Sequence, residues 1–461
     1  MRGGAWIRWV IAGAFLGAQI ALVAADANGP FVDEGLYVVA GLRVLEGQGP
    51  ADGYARWFNG SPFAWPVLAA LGFRVGGLAG VRLVAAVLST VTLIAFAAAA
   101  ERLLGRRVAA WGAGLLALNG LFLALAHFAV YDVPALTGLA MAMYALARAP
   151  AGIVWPILGG IAFAAAVVAK YGYLAMAVPL LGLLVAVRGL PHAVRPAAAF
   201  LGVSGAVVGA YFLAVFGAPY PSSASAYLGQ TLVRSRAHIA ALQLVFTAAP
   251  LALMAVGALA AWRARQRWLV ATCAVAVSLY PTFHLWSANF VSSQKHAVAG
   301  FLFAYLLAGV TLDRLWRAGR RPAVVWVLAV LTAWGALQCY WQDRSWSDVR
   351  PLVRHLIGNM RPGDRILAES PWSYAMYLYP TGIVDSPFAV IDTAYAAAWA
   401  DPDGCAVPWL VGDPAGTQLR DLLARCPHRL VRSIAGEQYY LDTTRLRVGR
   451  QDTATALYRL P

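Results

Sequence analysis

The feature that most constrains this chain is a recurrence of long apolar stretches, each close to the roughly 20 residues a bilayer span requires. Candidate spans are Trp6–Ala25, Val81–Ala100, Val108–Ala126, Val133–Ala147, Ile153–Ala169, Gly172–Val187, Pro196–Phe216, Ala241–Trp262, Trp268–Trp286, Ala297–Leu312 and Pro322–Tyr340. That makes about eleven, so the expectation is a polytopic α-helical membrane protein. Pro62–Gly77 is a further apolar stretch, interrupted by Pro66 and Arg74, and reads as a re-entrant or interfacial piece. Trp6–Ala25 reads as a retained helix, because the Ala-Ala-Asp that follows is a poor cleavage context and many spans come after it. Composition agrees: 61% of residues are hydrophobic and 12% charged, against about 25% charged in soluble domains.

The charges are distributed unevenly. The net charge is +15, which in a soluble protein would suggest nucleic acid, but here the arginines flank apolar runs. With the N-terminus inside, Arg102/Arg106/Arg107, Arg148, Arg188/Arg195, Arg263/Arg265/Arg267 and Arg314/Arg317/Arg320/Arg321 all fall on the cytoplasmic side, as the positive-inside rule requires. The unusual polar residues then gather on the opposite face. They are Asp33 and Glu34 in the first loop (26–62), Asp132 in Tyr131-Asp132-Val133-Pro134, Lys170, and Lys295-His296. Lys170 and Lys295 are the only lysines in the chain. Arg82, at the outer start of a span, breaks the inside bias.

Carboxylates near hydrocarbon are expensive and suggest function. Asp33 and Glu34 open an apolar segment, Glu34–Glu46, suited to lie on the membrane surface. Asp33 is either the cap of that helix or a general base whose proton affinity is set by its surroundings. Asp132 before Pro134 is a good helix cap and also a candidate to orient a sugar hydroxyl or hold a divalent metal. Lys170, Lys295, His296 and Arg82 on the same face suit an anionic phosphate carried on a lipid. Asp33 and Asp132 are the candidate ligands should a divalent ion take part; no other cofactor is indicated. HExxH, GxSxG and CxxC motifs are absent, the four cysteines lack zinc-site spacing, and His127, His238 and His284 read as boundary or loop histidines.

From about Gln342 the composition becomes soluble, dividing the chain into a membrane domain (1–341) and a C-terminal domain (342–461). An odd number of spans places the latter outside as an extracytoplasmic α/β domain. Asp364–Glu369, Ile383–Val390 and Ala406–Val411 read as strands, and Asp348–Met360 and Thr417–Arg425 as helices. Cys405 and Cys426 both fall there, where an oxidising compartment allows a bridge. Mass mapping of the two cysteine peptides without and with reductant decides it: free thiols in both rule the bridge out.

In this arrangement the chain resembles the GT-C membrane glycosyltransferases, more narrowly the superfamily of protein O-mannosyltransferases and lipid A aminoarabinose transferases. Asp33-Glu34-x-x-Tyr37 is similar to that family's acidic first-loop motif, and Ser61-Pro62 to the start of its second surface helix. Val81-Arg82-Leu83 with Leu88-Ser89 resembles its Arg-Leu-Pro-Ser segment without the proline. Tyr131-Asp132-Val133-Pro134 matches its second acidic motif, Ala169-Lys170-Tyr171-Gly172 resembles its Thr-Lys-Gly stretch, and Lys295-His296 its basic position before a Tyr-Leu-Leu-Pro motif. The likeness is good over residues 1–190 and loose beyond.

The resemblance implies an inverting transferase in a bacterial plasma membrane. It would take a sugar from a polyprenyl-phosphate donor and pass it to a lipid, polysaccharide or protein hydroxyl on the outer face. Asp33 would be the base, with Glu34 and Asp132 completing the acidic set. Tyr37, Arg82, Lys170, Tyr171, Lys295 and His296 would bind substrate. A transporter or flippase of lipid-linked sugars is the alternative. It would place its ionisable groups nearer the midplane, commonly in repeated halves, and neither pattern is evident. An acyltransferase or lipid hydrolase would need a nucleophile or histidine base for which no candidate stands out.

Overall fold

A computed structural model of the chain describes residues 6–25, 28–49, 60–216, 235–288, 293–344, 346, 348–368, 371–384, 390–392, 409–412, 429–442 and 447–459. The membrane part is built from thirteen described helices. In chain order they are α1 (Trp6–Ala25), α2 (Val32–Leu45), α3 (Ala64–Leu104), α4 (Arg106–Ala117), α5 (Gly120–Leu125), α6 (Asp132–Ala147) and α7 (Val154–Ala169). They continue with α8 (Ala177–Arg188), preceded by a 3-10 turn Tyr171–Met176, then α9 (Leu190–Phe216), α10 (Arg236–Arg263), α11 (Arg267–Ser287), α12 (Ser293–Arg317) and α13 (Arg321–Asp343).

Among the described residues eight helices are long and apolar enough to cross a membrane, where the hydropathy pattern leads one to expect eleven. The other three expected spans exist in altered form. Val133–Ala147 and Ile153–Ala169 correspond to α6 and α7, apolar helices of 16 residues each. The stretch Val108–Ala126 is divided into α4 and α5, because the Asn119 side chain accepts from the Phe122 N–H at 3.0 Å and caps a new helix there. The surface piece expected over 62–77 and the span after it are two helices that meet at a sharp break, together labelled α3 (Ala64–Leu104). The break falls at Gly76–Gly77, and Gly77 has φ +59°, a region open to glycine at little cost. The bend brings Gly80 against the Gly72 carbonyl.

The centre of the bundle is α12, buried along most of its length from Ser293 to Asp313. Small residues let neighbours approach it closely: a Cβ at Gly309 would lie 2.6 Å from the Val108 carbonyl of α4, and Gly257 of α10 touches the Leu307 carbonyl. Where lipid tails are as apolar as the protein, such close packing carries helix association.

Beyond α13 the chain forms α14 (Arg350–Asn359) and α15 (Pro371–Leu378) and a five-stranded mixed sheet ordered β2-β1-β3-β5-β4. The strands are β1 (Ile366–Ala368), β2 (Val390–Asp392), β3 (Trp409–Gly412), β4 (Arg429–Asp442) and β5 (Arg447–Arg459). β1 runs parallel to β2 and β3, while β5 is antiparallel to both β3 and β4. Within the expected strands, β1 covers 366–368 of 364–369, β3 begins inside 406–411 and β2 begins at Val390; 369, 385–389 and 406–408 lie outside the described residues. The expected helix Thr417–Arg425 and both Cys405 and Cys426 lie outside the described residues. The long β4–β5 hairpin and α15 were not legible, since charged residues interrupt apolar alternation in the hairpin and aromatic residues blur it in α15.

Helix α15 rests on α2. A Cβ at Gly35 would collide with the Trp372 carbonyl, so only glycine lets the two helices meet there. Ser373 Oγ donates to the Pro30 carbonyl at 3.2 Å across the same contact. Gly35→Ala should therefore lower thermal stability of the detergent-solubilised protein, although alanine raises helix propensity by about 0.5–1 kcal/mol; the overlap demands a backbone shift costing about 1–3 kcal/mol. A variant melting at or above the wild-type temperature would refute this contact.

Candidate active site

The site grows from the loop between α1 and α2. Phe31 precedes the first turn of α2 with extended backbone (φ −66°, ψ 149°), and within that turn the consecutive residues Asp33 and Glu34 point about 100° apart around the helix. Glu34 turns inward and is fully buried. It accepts from Arg82 Nε (3.1 Å) and Nη2 (2.9 Å), from the Phe31 N–H (2.8 Å) and from the Ala129 N–H (3.0 Å). Arg82, from α3, also donates to the carbonyls of Asn28 (3.2 Å) and Gly29 (2.9 Å). This buried fork joins the first loop, α3 and the turn before α6. The structure thus gives Arg82 a carboxylate and two carbonyls where the sequence suggests a donor phosphate, and Glu34 an arginine where it suggests chemistry.

Asp33 faces the other way. Its Oδ2 accepts from Lys295 Nζ at 3.1 Å, a contact between residues 262 positions apart, because the first turn of α12 lies beside that of α2. Lys295 also lies 5.0 Å from the Phe31 ring centroid. A second pair stands nearby: Lys170 Nζ donates to Asp132 Oδ1 at 2.7 Å. Lys170 comes to it from the turn after α7, Asp132 from the first turn of α6. The pairs are electrostatically coupled, since Lys295 is within range of Asp132, and Lys170 within range of Asp33 and Lys295. Their exposures differ. The side chains of Asp33 and Lys295 are 32% and 22% accessible, those of Asp132 and Lys170 3% and 10%. The outer pair is open to a substrate and the inner pair is part of the wall.

Tyr37 packs against Tyr131 at a tilt, with ring centroids 4.1 Å apart, and Tyr131 donates to the Ser61 carbonyl at 2.8 Å. Ser61 Oγ accepts from the N–H groups of Phe63 (3.2 Å) and Ala64 (3.0 Å), starting α3. Tyr171 is buried with its ring edge-on to Phe212 at 5.2 Å. His296 hydrogen-bonds His284 of α11 (Nδ1 to Nε2, 2.8 Å) and lies against Tyr280. His284 lies in the last turn of α11, and His127 in the turn between α5 and α6, buried with Gln19 and Asp343. Asn28, Ser61, Ala129 and Tyr131 belong to the frame of the site. Their part in it rests on backbone groups and distant contacts, for which the sequence carries no signal.

Comparison with known proteins supports the class. Residues 53–190 match the family model "Dolichyl-phosphate-mannose-protein mannosyltransferase". The match includes Arg82, Asp132, Lys170 and Tyr171, and does not extend to Asp33, Glu34, Tyr37, Lys295 or His296. The fold is similar to the crystal structure of ArnT from Cupriavidus metallidurans bound to undecaprenyl phosphate (TM-score 0.62, 15% identity, 98% of each chain covered). It is also similar to the archaeal oligosaccharyltransferase AglB from Archaeoglobus fulgidus in complex with an inhibitory peptide and a dolichol-phosphate (TM-score 0.53, 11% identity, 97% of this chain and 75% of that one). The chain thus shares the fold of these membrane proteins. No curated protein sequence matches it significantly.

The buried fork sets a stability test. Truncating one member of a buried ion pair leaves an uncompensated charge and costs about 3–5 kcal/mol. Arg82→Ala and Glu34→Gln should each sharply reduce the yield of monodisperse protein, and Glu34→Leu combined with Arg82→Met should recover part of it. Single variants as stable as wild type would deny the pair its structural role.

Proposed function

We propose that this chain is an inverting glycosyltransferase that moves a sugar from a polyprenyl-phosphate donor to an acceptor hydroxyl at the outer membrane face. The observation that carries the reading is the meeting of Asp33–Lys295 and Asp132–Lys170, drawn from four separate segments of the chain onto one face. The family match and the shared fold point the same way; no comparison points to a transporter.

In this reading Asp33 is the base. It takes the proton of the acceptor hydroxyl as the hydroxyl oxygen attacks the anomeric carbon. The bond from that carbon to the phosphate oxygen breaks on the opposite side, and the lipid phosphate departs with the electron pair. Lys295 and Lys170 stabilise the charge that develops there, the usual place for electrostatic catalysis. An incoming phosphate competes with Asp33 for Lys295. Donor binding thus draws the ammonium off the carboxylate and leaves Asp33 a stronger base when the acceptor arrives. Asp132 anchors Lys170; Glu34 and Arg82 position α2. Tyr37, Tyr171 and His296 line the surroundings of the two pairs. A divalent ion at Asp33 and Asp132 would have to displace both ammonium groups.

The arginine pattern supports a cytoplasmic N-terminus in a bacterial plasma membrane. The α4–α5 pair, α6 and α7 complete eleven crossings, which puts the C-terminal sheet (domain 342–461) outside. Its contact with α2 through α15 suits it to grip an acceptor, whether lipid, polysaccharide or protein.

The test is transfer from radiolabelled polyprenyl-phosphate sugars in membranes. Asp33→Asn should lower the rate at least about 100-fold, the scale of a lost general base, while donor binding persists. Undiminished transfer by a folded Asp33→Asn protein removes Asp33 as the base. Lys295→Ala should raise the donor concentration required more than the acceptor concentration; an unchanged donor dependence contradicts its phosphate role.

A further inference from the structure

A second cluster of potential ligands lies apart from the two lysine–carboxylate pairs, at the end of α13. His127, Cys339 and Asp343 present a nitrogen, a sulfur and an oxygen all within 4.8 Å of one another. Cys339 and Asp343 are four residues apart on α13 and so share a face, with Cys339 Sγ 3.8 Å from Asp343 Oδ2. His127 reaches them from the turn before α6, its Nε2 2.8 Å from Asp343 Oδ1.

The second observation concerns the proton on His127. Gln19 of α1, fully buried, donates through Nε2 to the Leu123 carbonyl at 3.2 Å. A carbonyl can only accept, so the amide oxygen of Gln19 is the atom that faces His127 Nδ1, at 3.0 Å. That fixes the ring proton on Nδ1 and turns the Nε2 lone pair toward a carboxylate oxygen. Two lone pairs at 2.8 Å need a positive charge between them, either a second proton or a metal ion. A histidine whose far nitrogen is held by an oriented acceptor is the usual arrangement at metal centres.

We propose that His127, Cys339 and Asp343 bind one divalent transition-metal ion of the zinc class, with Gln19 orienting the histidine. Mixed nitrogen, sulfur and oxygen donors suit zinc at bond lengths of about 2.0–2.3 Å. A dication balances one thiolate and one carboxylate, leaving the buried cluster neutral. The metal would be structural. It would tie α13 to α1 and to the turn whose Ala129 N–H supports Glu34, while the Asp343 backbone carbonyl accepts from the Asn28 side chain and the Asn28 backbone carbonyl accepts from Arg82.

The experiment uses full-length protein in detergent, stripped with a chelator and titrated with Co2+ alone. Saturable binding of about one ion per chain, with a thiolate-to-cobalt charge-transfer band and the visible bands of four-coordinate cobalt, is expected; Zn2+ should bleach both. The bands should be lost in Cys339→Ser and retained when Cys273, Cys405 and Cys426 are all replaced by serine. Gln19→Leu should weaken binding about 10- to 100-fold, as loss of an orienting partner does. No charge-transfer band in the folded wild type overturns the proposal, whether or not the variants fold. So does a band that survives Cys339→Ser or vanishes in the folded triple variant, and in either case the His127–Asp343 contact is a plain ion pair.

Discussion

The Glu34–Arg82 pair is the constraint on which the rest of the site rests. A carboxylate with no solvent access is tolerable only if its oxygens are fully engaged, and Glu34 achieves this with one guanidinium and two backbone N–H groups. Arg82 engages the Asn28 and Gly29 carbonyls in turn. The result is a rigid joint between a surface loop, the bent helix α3 and the turn before α6. Because Glu34 is committed inward, its neighbour Asp33 is directed outward to Lys295. The two adjacent carboxylates therefore play opposite parts, one in the scaffold and one at the open surface.

Charge pairing continues across the face. Each lysine is held against an aspartate at a place where an isolated ion would be costly. The arrangement is neutral at rest, and an anionic phosphate entering it must take an ammonium from a carboxylate. The less accessible Asp132–Lys170 pair and the more accessible Asp33–Lys295 pair differ in burial more than in chemistry, and burial distinguishes wall from reactive edge.

Much of this was legible in the residues. The apolar runs and the set Asp33, Asp132, Lys170 and Lys295, whose side chains pair in the structure, stand out from hydropathy and charge alone. Arg82 shows where such reasoning ends. As an outlier to the arginine pattern it looked like a phosphate ligand, yet a partner 48 residues away takes up its charge. His127 likewise looked incidental until Gln19 and Asp343, 108 and 216 residues distant, closed around it. Asn119, which divides an expected span into α4 and α5, was hidden because hydropathy does not register a capping hydrogen bond.

Sequence by itself determined that the chain carries many helices apolar enough to cross a membrane, and which few charged residues stand apart from the arginine pattern. These follow from the free energy of moving side chains between water and hydrocarbon, a property each residue carries wherever it is placed. Tertiary structure alone decided which charge meets which. Pairing depends on the close approach of helices at glycines, on the bend of α3 at Gly77 and on backbone N–H groups aimed at Glu34. Those are properties of distances between remote segments, and a linear pattern of residue types does not contain them.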